Sequence, residues 1–129
     1  MSNLFLKKTM QDLLQKFAKQ LVPEDILLSF DVVDIDDSSP TELIISLVEK
    51  SELVPTSDKE LVLNGFLKEI ELTHFPANGR VCYLRLTRRR WKLKSQADST
   101  ESFYNSYDYT VEGTKATKSF GAFLKSFGK

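Results

Sequence analysis

The segment from Arg80 to Leu93 constrains the fold more than any other part of the chain. Cys82, Leu84 and Leu86 recur at every second position with Val81, Tyr83 and Arg85 between them, the period-two pattern of a strand with one face in a core. No turn signal interrupts the run, which is long against the roughly 5–6 residues of an ordinary strand. In its second half Arg88 and Arg90 follow on the core-facing side, and Arg89 stands opposite with Trp91. That half is expected to protrude as a charged ribbon beyond the packed body.

Turn signals divide the rest. Met10, Leu13, Leu14, Phe17, Ala18 and Leu21 fall at three- and four-residue spacing, so residues 7–21 are predicted as an amphipathic helix that Pro23 ends. Val32, Val33 and Ile35 predict a strand within 30–36, Asp36-Asp37-Ser38-Ser39-Pro40 a turn, and residues 43–48 the partner strand of a hairpin. A polar link containing Pro55 spans 50–59. Two extended pieces, 61–65 and 66–75, are jointed at Asn64-Gly65, and Pro76-Ala77-Asn78-Gly79 makes another turn. Residues 95–107 begin polar and are read as flexible, after which Tyr107, Tyr109 and Val111 alternate as a strand. Thr117 is placed to cap a final helix carrying Phe120, Phe123, Leu124 and Phe127. The expectation is one α+β domain over 1–129, an antiparallel sheet of about five to six strands that includes a long basic β-hairpin. An N-terminal helix (1–22) and a C-terminal helix (113–129) pack it, with an acidic hairpin region (23–60) and a basic ribbon region (61–112) between them.

The 18 Lys+Arg balance 18 Asp+Glu, yet the signs are segregated along the chain. Residues 1–79 hold 7 basic and 14 acidic residues, whereas 80–129 hold 11 and 4. This implies an acidic face and a basic face with different partners. Basic density peaks between Arg80 and Lys94, where no acid occurs, and such a stripe is a phosphate-binding candidate. Arginine on an edge strand also blocks sheet-to-sheet aggregation. Three consecutive arginines exceed that need: they set bidentate donors on both faces and bring Trp91 where it can stack or anchor a core. Arg85, Arg88, Arg89, Arg90, Trp91, Lys92 and Lys94 are therefore the DNA-contact candidates.

Other functions find little support. The inventory of reactive groups is one Cys, one His and carboxylates set mostly in turns, so no catalytic constellation is expected and the chain is read as a non-enzyme. Cys82 reads as a buried hydrophobe and His74 as a hairpin residue. One Cys and one His cannot build a zinc site, and Asp31, Asp34, Asp36 and Asp37 lack calcium-loop spacing. No metal or cofactor is expected. The longest stretch without a charged residue runs only from Leu72 to Gly79, far below the ~20 residues of a membrane-spanning helix. The weakly apolar N-terminus and the single cysteine favour a cytoplasmic location.

Several runs in order carry a resemblance. Leu21-Val22-Pro23-Glu24, Phe30-Asp31-Val32-Val33-Asp34-Ile35 and Gly65-Phe66-Leu67-Lys68-Glu69-Ile70 are followed by Phe75-Pro76, Gly79-Arg80, Val81-Cys82-Tyr83-Leu84 and Arg88-Arg89-Arg90-Trp91. Gly113-Thr114-Lys115-Ala116-Thr117-Lys118 and Phe120-Gly121-Ala122-Phe123-Leu124-Lys125 complete the series. From about residue 20 onward the chain resembles the N-terminal-region proteins of ISAon-type insertion-sequence transposases of Bacteroidetes. Asn64-Gly65-Phe66, the turn from Phe75-Pro76 to Gly79 and the strand from Val81 to Trp91 are also similar to the N-terminal zinc-ribbon region of ISL-group transposases. The paired cysteines of that region are absent here, which implies a ribbon held by packing and no zinc. The resemblance implies a first reading frame that lacks the catalytic domain, with two partners: double-stranded DNA at the element ends, and a catalytic transposase subunit from a neighbouring frame. The rival is an adaptor that docks on that subunit without touching DNA.

Overall fold

The computed structural model describes residues 3–95 and 101–127. Part of the polar stretch read as flexible, 96–100, lies outside them. The chain runs α1 (Asn3–Leu21), α2 (Glu24–Leu27), β1 (Phe30–Asp36), β2 (Glu42–Glu49), β3 (Leu61–Phe66), β4 (Ile70–Ala77), β5 (Arg80–Thr87), β6 (Arg89–Leu93) and α3 (Lys118–Phe127). The fold is α+β, with β1-β2-β5-β4 in a four-stranded sheet and β3-β6 in a two-stranded one. Among the described residues no helix is long and apolar enough to cross a membrane.

The strands β3–β4 and β5–β6 are the two arms of one long hairpin that has been bent between the two sheets. β4 and β5 meet at Asn78-Gly79, both at positive φ (54° and 76°), the type I′ geometry whose twist matches that of the flanking strands. From that turn the ladder runs outward through His74↔Cys82 and Ile70↔Leu86 to Phe66↔Arg89 and Leu61↔Leu93. It slips by one residue between His74 and Ala77, again between Phe66 and Ile70, and again between Leu63 and Phe66. Each slip puts the extra residue on the 61–77 side and adds right-handed twist. The outer half thereby swings out of the main sheet. The expected single strand over 80–93 is accordingly two, broken at Arg88.

Alternation decides the main core. Leu43, Ile45 and Leu47 of β2, Cys82, Leu84 and Leu86 of β5, Phe30 and Val32 of β1 and Leu72 of β4 are buried together. Ala18 and Val22 of α1 and Ile26 of α2 cover them. Side chains this deeply buried contribute roughly 1.5–3 kcal/mol each. Gln15 of α1 donates through Nε2 to the Val32 carbonyl (3.3 Å), occupying one acceptor of the β1 edge. His74 is buried and shares a hydrogen bond with the Thr117 hydroxyl (2.7 Å), so that hydroxyl binds β4 at the start of α3.

Three expectations change. The sheet is mixed, because β2 and β5 run parallel from Glu42↔Val81 to Val48↔Thr87. The Tyr107–Val111 alternation is not a strand: Tyr107 and Tyr109 stack on each other (5.2 Å) and set their edges against Phe30, so the segment is held by side chains on the core. The distal ribbon also has a core of its own, in which Leu61, Trp91, Leu93 and Phe103 pack together.

Candidate nucleic-acid interface

The small core orients the basic residues. Trp91 is 8% exposed and Leu93 5%, so β6 buries that face and turns Arg90 and Lys92 to the other. Lys94 continues the same row, its amide bonded to the Glu60 carbonyl (3.0 Å) and its ammonium 3.3 Å from the Glu60 carboxylate, with both side chains exposed. Arg90 is steadied from beneath. Gly65, at φ +85°, completes the bulge opposite it, and the Asn64 carbonyl in that bulge accepts from Arg90 Nε (2.9 Å). Three cations spaced along one side of a two-stranded ribbon can follow a row of phosphates.

The other candidates are tied into the protein. Arg85 Nε donates to Glu71 (3.0 Å) and lies 3.9 Å from Glu69. Arg88 donates through Nη1 to the Asn105 carbonyl (3.0 Å), and its guanidinium sits 5.1 Å from the Tyr104 ring centroid. Arg89 donates through Nε to the Glu49 carbonyl (2.8 Å) and covers Phe66 at 5.5 Å. Trp91 anchors the small core and offers no stacking face.

Glu49 was missed by the sequence reading, although it continues the core-facing alternation Leu43, Ile45, Leu47. It is 1% exposed. Its carboxylate accepts from the Arg89 amide (2.9 Å), from Asn105 Nδ2 (3.2 Å) and from the Tyr107 hydroxyl. A buried carboxylate is tolerated when donors replace its water. Burial, reinforced by the Glu49 carboxylate, pushes the Tyr107 phenol well above its ordinary range and keeps it a donor. The cluster joins the end of β2, the start of β6 and the 103–109 segment. It is the clamp between the main sheet and the ribbon.

Beside this clamp lies a groove of about 710 Å³ lined by Lys68, Arg88 and Lys115, by Glu69 and Glu71, and by the aromatic wall of Phe30, Tyr107 and Tyr109. Arg85 stands beside both glutamates, 3.0 Å from Glu71 and 3.9 Å from Glu69, so the cations around the groove outnumber its acids. Cys82 is buried and its thiol is pushed up to about 11 by desolvation, and among the described residues no three His, Cys, Asp or Glu side chains gather to hold a metal ion. No protein-family model, curated protein or solved structure matches the chain.

Proposed function

We propose that the protein is the non-catalytic DNA-binding part of a split insertion-sequence transposase, docking on element DNA through the outer face of its β-ribbon. The observation that carries this reading is the row Arg90, Lys92 and Lys94, held on one side of β6 by the burial of Trp91 and Leu93 on the other. A two-stranded ribbon is one of the shapes that the major groove of B-DNA admits. In this reading Lys92 and Lys94 neutralise phosphates, and Arg90, steadied by the Asn64 carbonyl, reaches a guanine edge or a further phosphate. Arg88 stands at the inner end of the row. Arg85, Arg89 and Trp91 shape the ribbon rather than touch DNA. The resemblance to ISAon-type transposase N-terminal regions supplies the biological setting.

The test is fluorescence anisotropy with a labelled duplex from an element end and a scrambled duplex. The Arg90→Ala/Lys92→Ala/Lys94→Ala protein, with an unchanged unfolding transition, should bind at least about tenfold more weakly. Equal affinity of the two proteins would reject the assignment. A second reading, docking on the catalytic subunit without DNA contact, draws on the exposed Phe123, Leu124 and Phe127 of α3. Capture by that subunit, with no binding to either duplex at micromolar concentration, would favour it.

A further inference from the structure

Two apolar surfaces lie at opposite edges of the main sheet. At the β1 edge, Met10, Leu13, Leu14 and Phe17 of α1 and Val32 and Val33 of β1 line a groove of about 430 Å³. Met10 is 67% exposed, Phe17 60% and Val33 54%. The ladder slips between Val32 and Asp34, which leaves Val33 unpaired beside the helix. At the β4 edge, α3 is seated by Phe75, whose ring lies 5.1 Å from Phe120 and 5.2 Å from Phe123. Its outer side keeps Phe123 and Leu124 exposed, and Phe127 at 74%. Contiguous exposed apolar side chains of this kind mark interaction surfaces.

Their surroundings are of opposite charge. Asp31, Asp34 and Asp36 are exposed along β1, with Lys50 3.9 Å from Asp31 alone, and the 3.6-residue period puts Lys8, Lys16 and Lys19 on the side of α1 away from the groove. Lys115, Lys118 and Lys125 are exposed around α3, where Lys118 lies 3.4 Å from Asp108, and residues 113–127 contain no acid, so Lys115 and Lys125 leave the rim of α3 basic. Leu124 and Phe127, three residues apart on the outer side, have the spacing of anchors that seat an amphipathic helix in a groove. We propose that α3 of one copy docks in the α1/β1 groove of a second copy of this chain. Because donor and acceptor sit at opposite sheet edges, the contact is head-to-tail, so association runs past two copies, into a ring or an open chain according to the rotation between neighbours. This association is independent of the DNA contact.

Sedimentation velocity of the protein alone, across a concentration series and at low and high salt, tests it. Mean mass should rise past that of a dimer with concentration, and salt should weaken the rise. Leu124→Asp/Phe127→Asp removes the donor and Met10→Asp/Phe17→Asp removes the acceptor. Met10, Phe17 and Phe127 are more than half exposed and Leu124 is 48% exposed, and circular dichroism checks that each variant is folded. Each variant alone should remain monomeric, whereas an equimolar mixture retains one intact donor and one intact groove and should stop at a dimer. A wild-type protein that stays monomeric, a donor variant that still self-associates, or a mixture that stays monomeric would each overturn the proposal.

Discussion

Replacing Tyr107 with Phe deletes one oxygen and leaves the stacked rings in place, so it isolates one bond of the Glu49 clamp. That bond is charge-assisted and Glu49 is almost wholly buried. Bonds of this class contribute about 1.5–3 kcal/mol, and the carboxylate oxygen would lose its donor in a place water reaches poorly. The expected loss is about 2 kcal/mol, while Glu49→Leu, which strands the Arg89 amide, the Asn105 amide and the Tyr107 hydroxyl together, should cost about 3–5 kcal/mol. Urea unfolding followed by Trp91 fluorescence and by far-ultraviolet circular dichroism reads both effects, since the single tryptophan reports on the ribbon core. With a denaturant slope of roughly 1.5 kcal/mol per molar, Tyr107→Phe should lower the midpoint by about 1.3 M. The Tyr107→Phe/Glu49→Leu double variant should be less destabilised than the sum of the singles by about 1–2 kcal/mol. A Tyr107→Phe loss under about 0.5 kcal/mol, with strictly additive singles, would refute the clamp.

Further outcomes follow from the core. Burial holds the His74 imidazole below its ordinary value of 6.5, so protons favour the unfolded chain. The stability it contributes is complete above about pH 7 and declines as pH falls through 6.5 toward the folded value, by at most about 1.4 kcal/mol per pH unit. Because the chain has one histidine, His74→Asn should flatten the stability profile between pH 5 and 7. An unchanged slope would exclude His74 as its source. A methyl group at Gly121 would lie 2.2 Å from Val111 Cγ2, so Gly121→Ala should destabilise by about 1–3 kcal/mol despite the better helix propensity of alanine, read as a lowered Tm. Pairing it with Val111→Ala should restore part of the loss. The Cys82 thiol should resist a thiol-specific reagent at pH 8 in the native protein and react once urea unfolds it, and rapid native labelling would contradict its burial.

The hairpin of β1 and β2 and the buried face of β5 were legible because alternation and turn residues agreed over each segment. Asn64-Gly65 was legible as a joint, but only the pairing partner shows that it is a bulge and that its carbonyl holds Arg90. The parallel contact of β2 with β5 joins residues almost forty apart in sequence, and no local pattern encodes it. Trp91 shows the same limit from the other side. Three adjacent arginines suggested a protruding charged ribbon and left Trp91 free to stack or to anchor a core, and Leu61, Leu93 and Phe103 converge on that ring from three places in the chain. For Glu49 the signal was present, since it occupies a core position by period two. Its polarity concealed the role until Asn105 and Tyr107 were seen to reach it.

The salt dependence of duplex binding decides whether the ribbon docks on phosphates. If Arg90, Lys92 and Lys94 each neutralise one phosphate, the logarithm of the affinity should fall against the logarithm of salt concentration with a slope near −2.7, at about −0.9 per phosphate. Lys92→Ala alone should reduce that slope by about one. Binding that does not change with salt, or a slope that survives the loss of all three cations, would contradict a ribbon that docks on DNA.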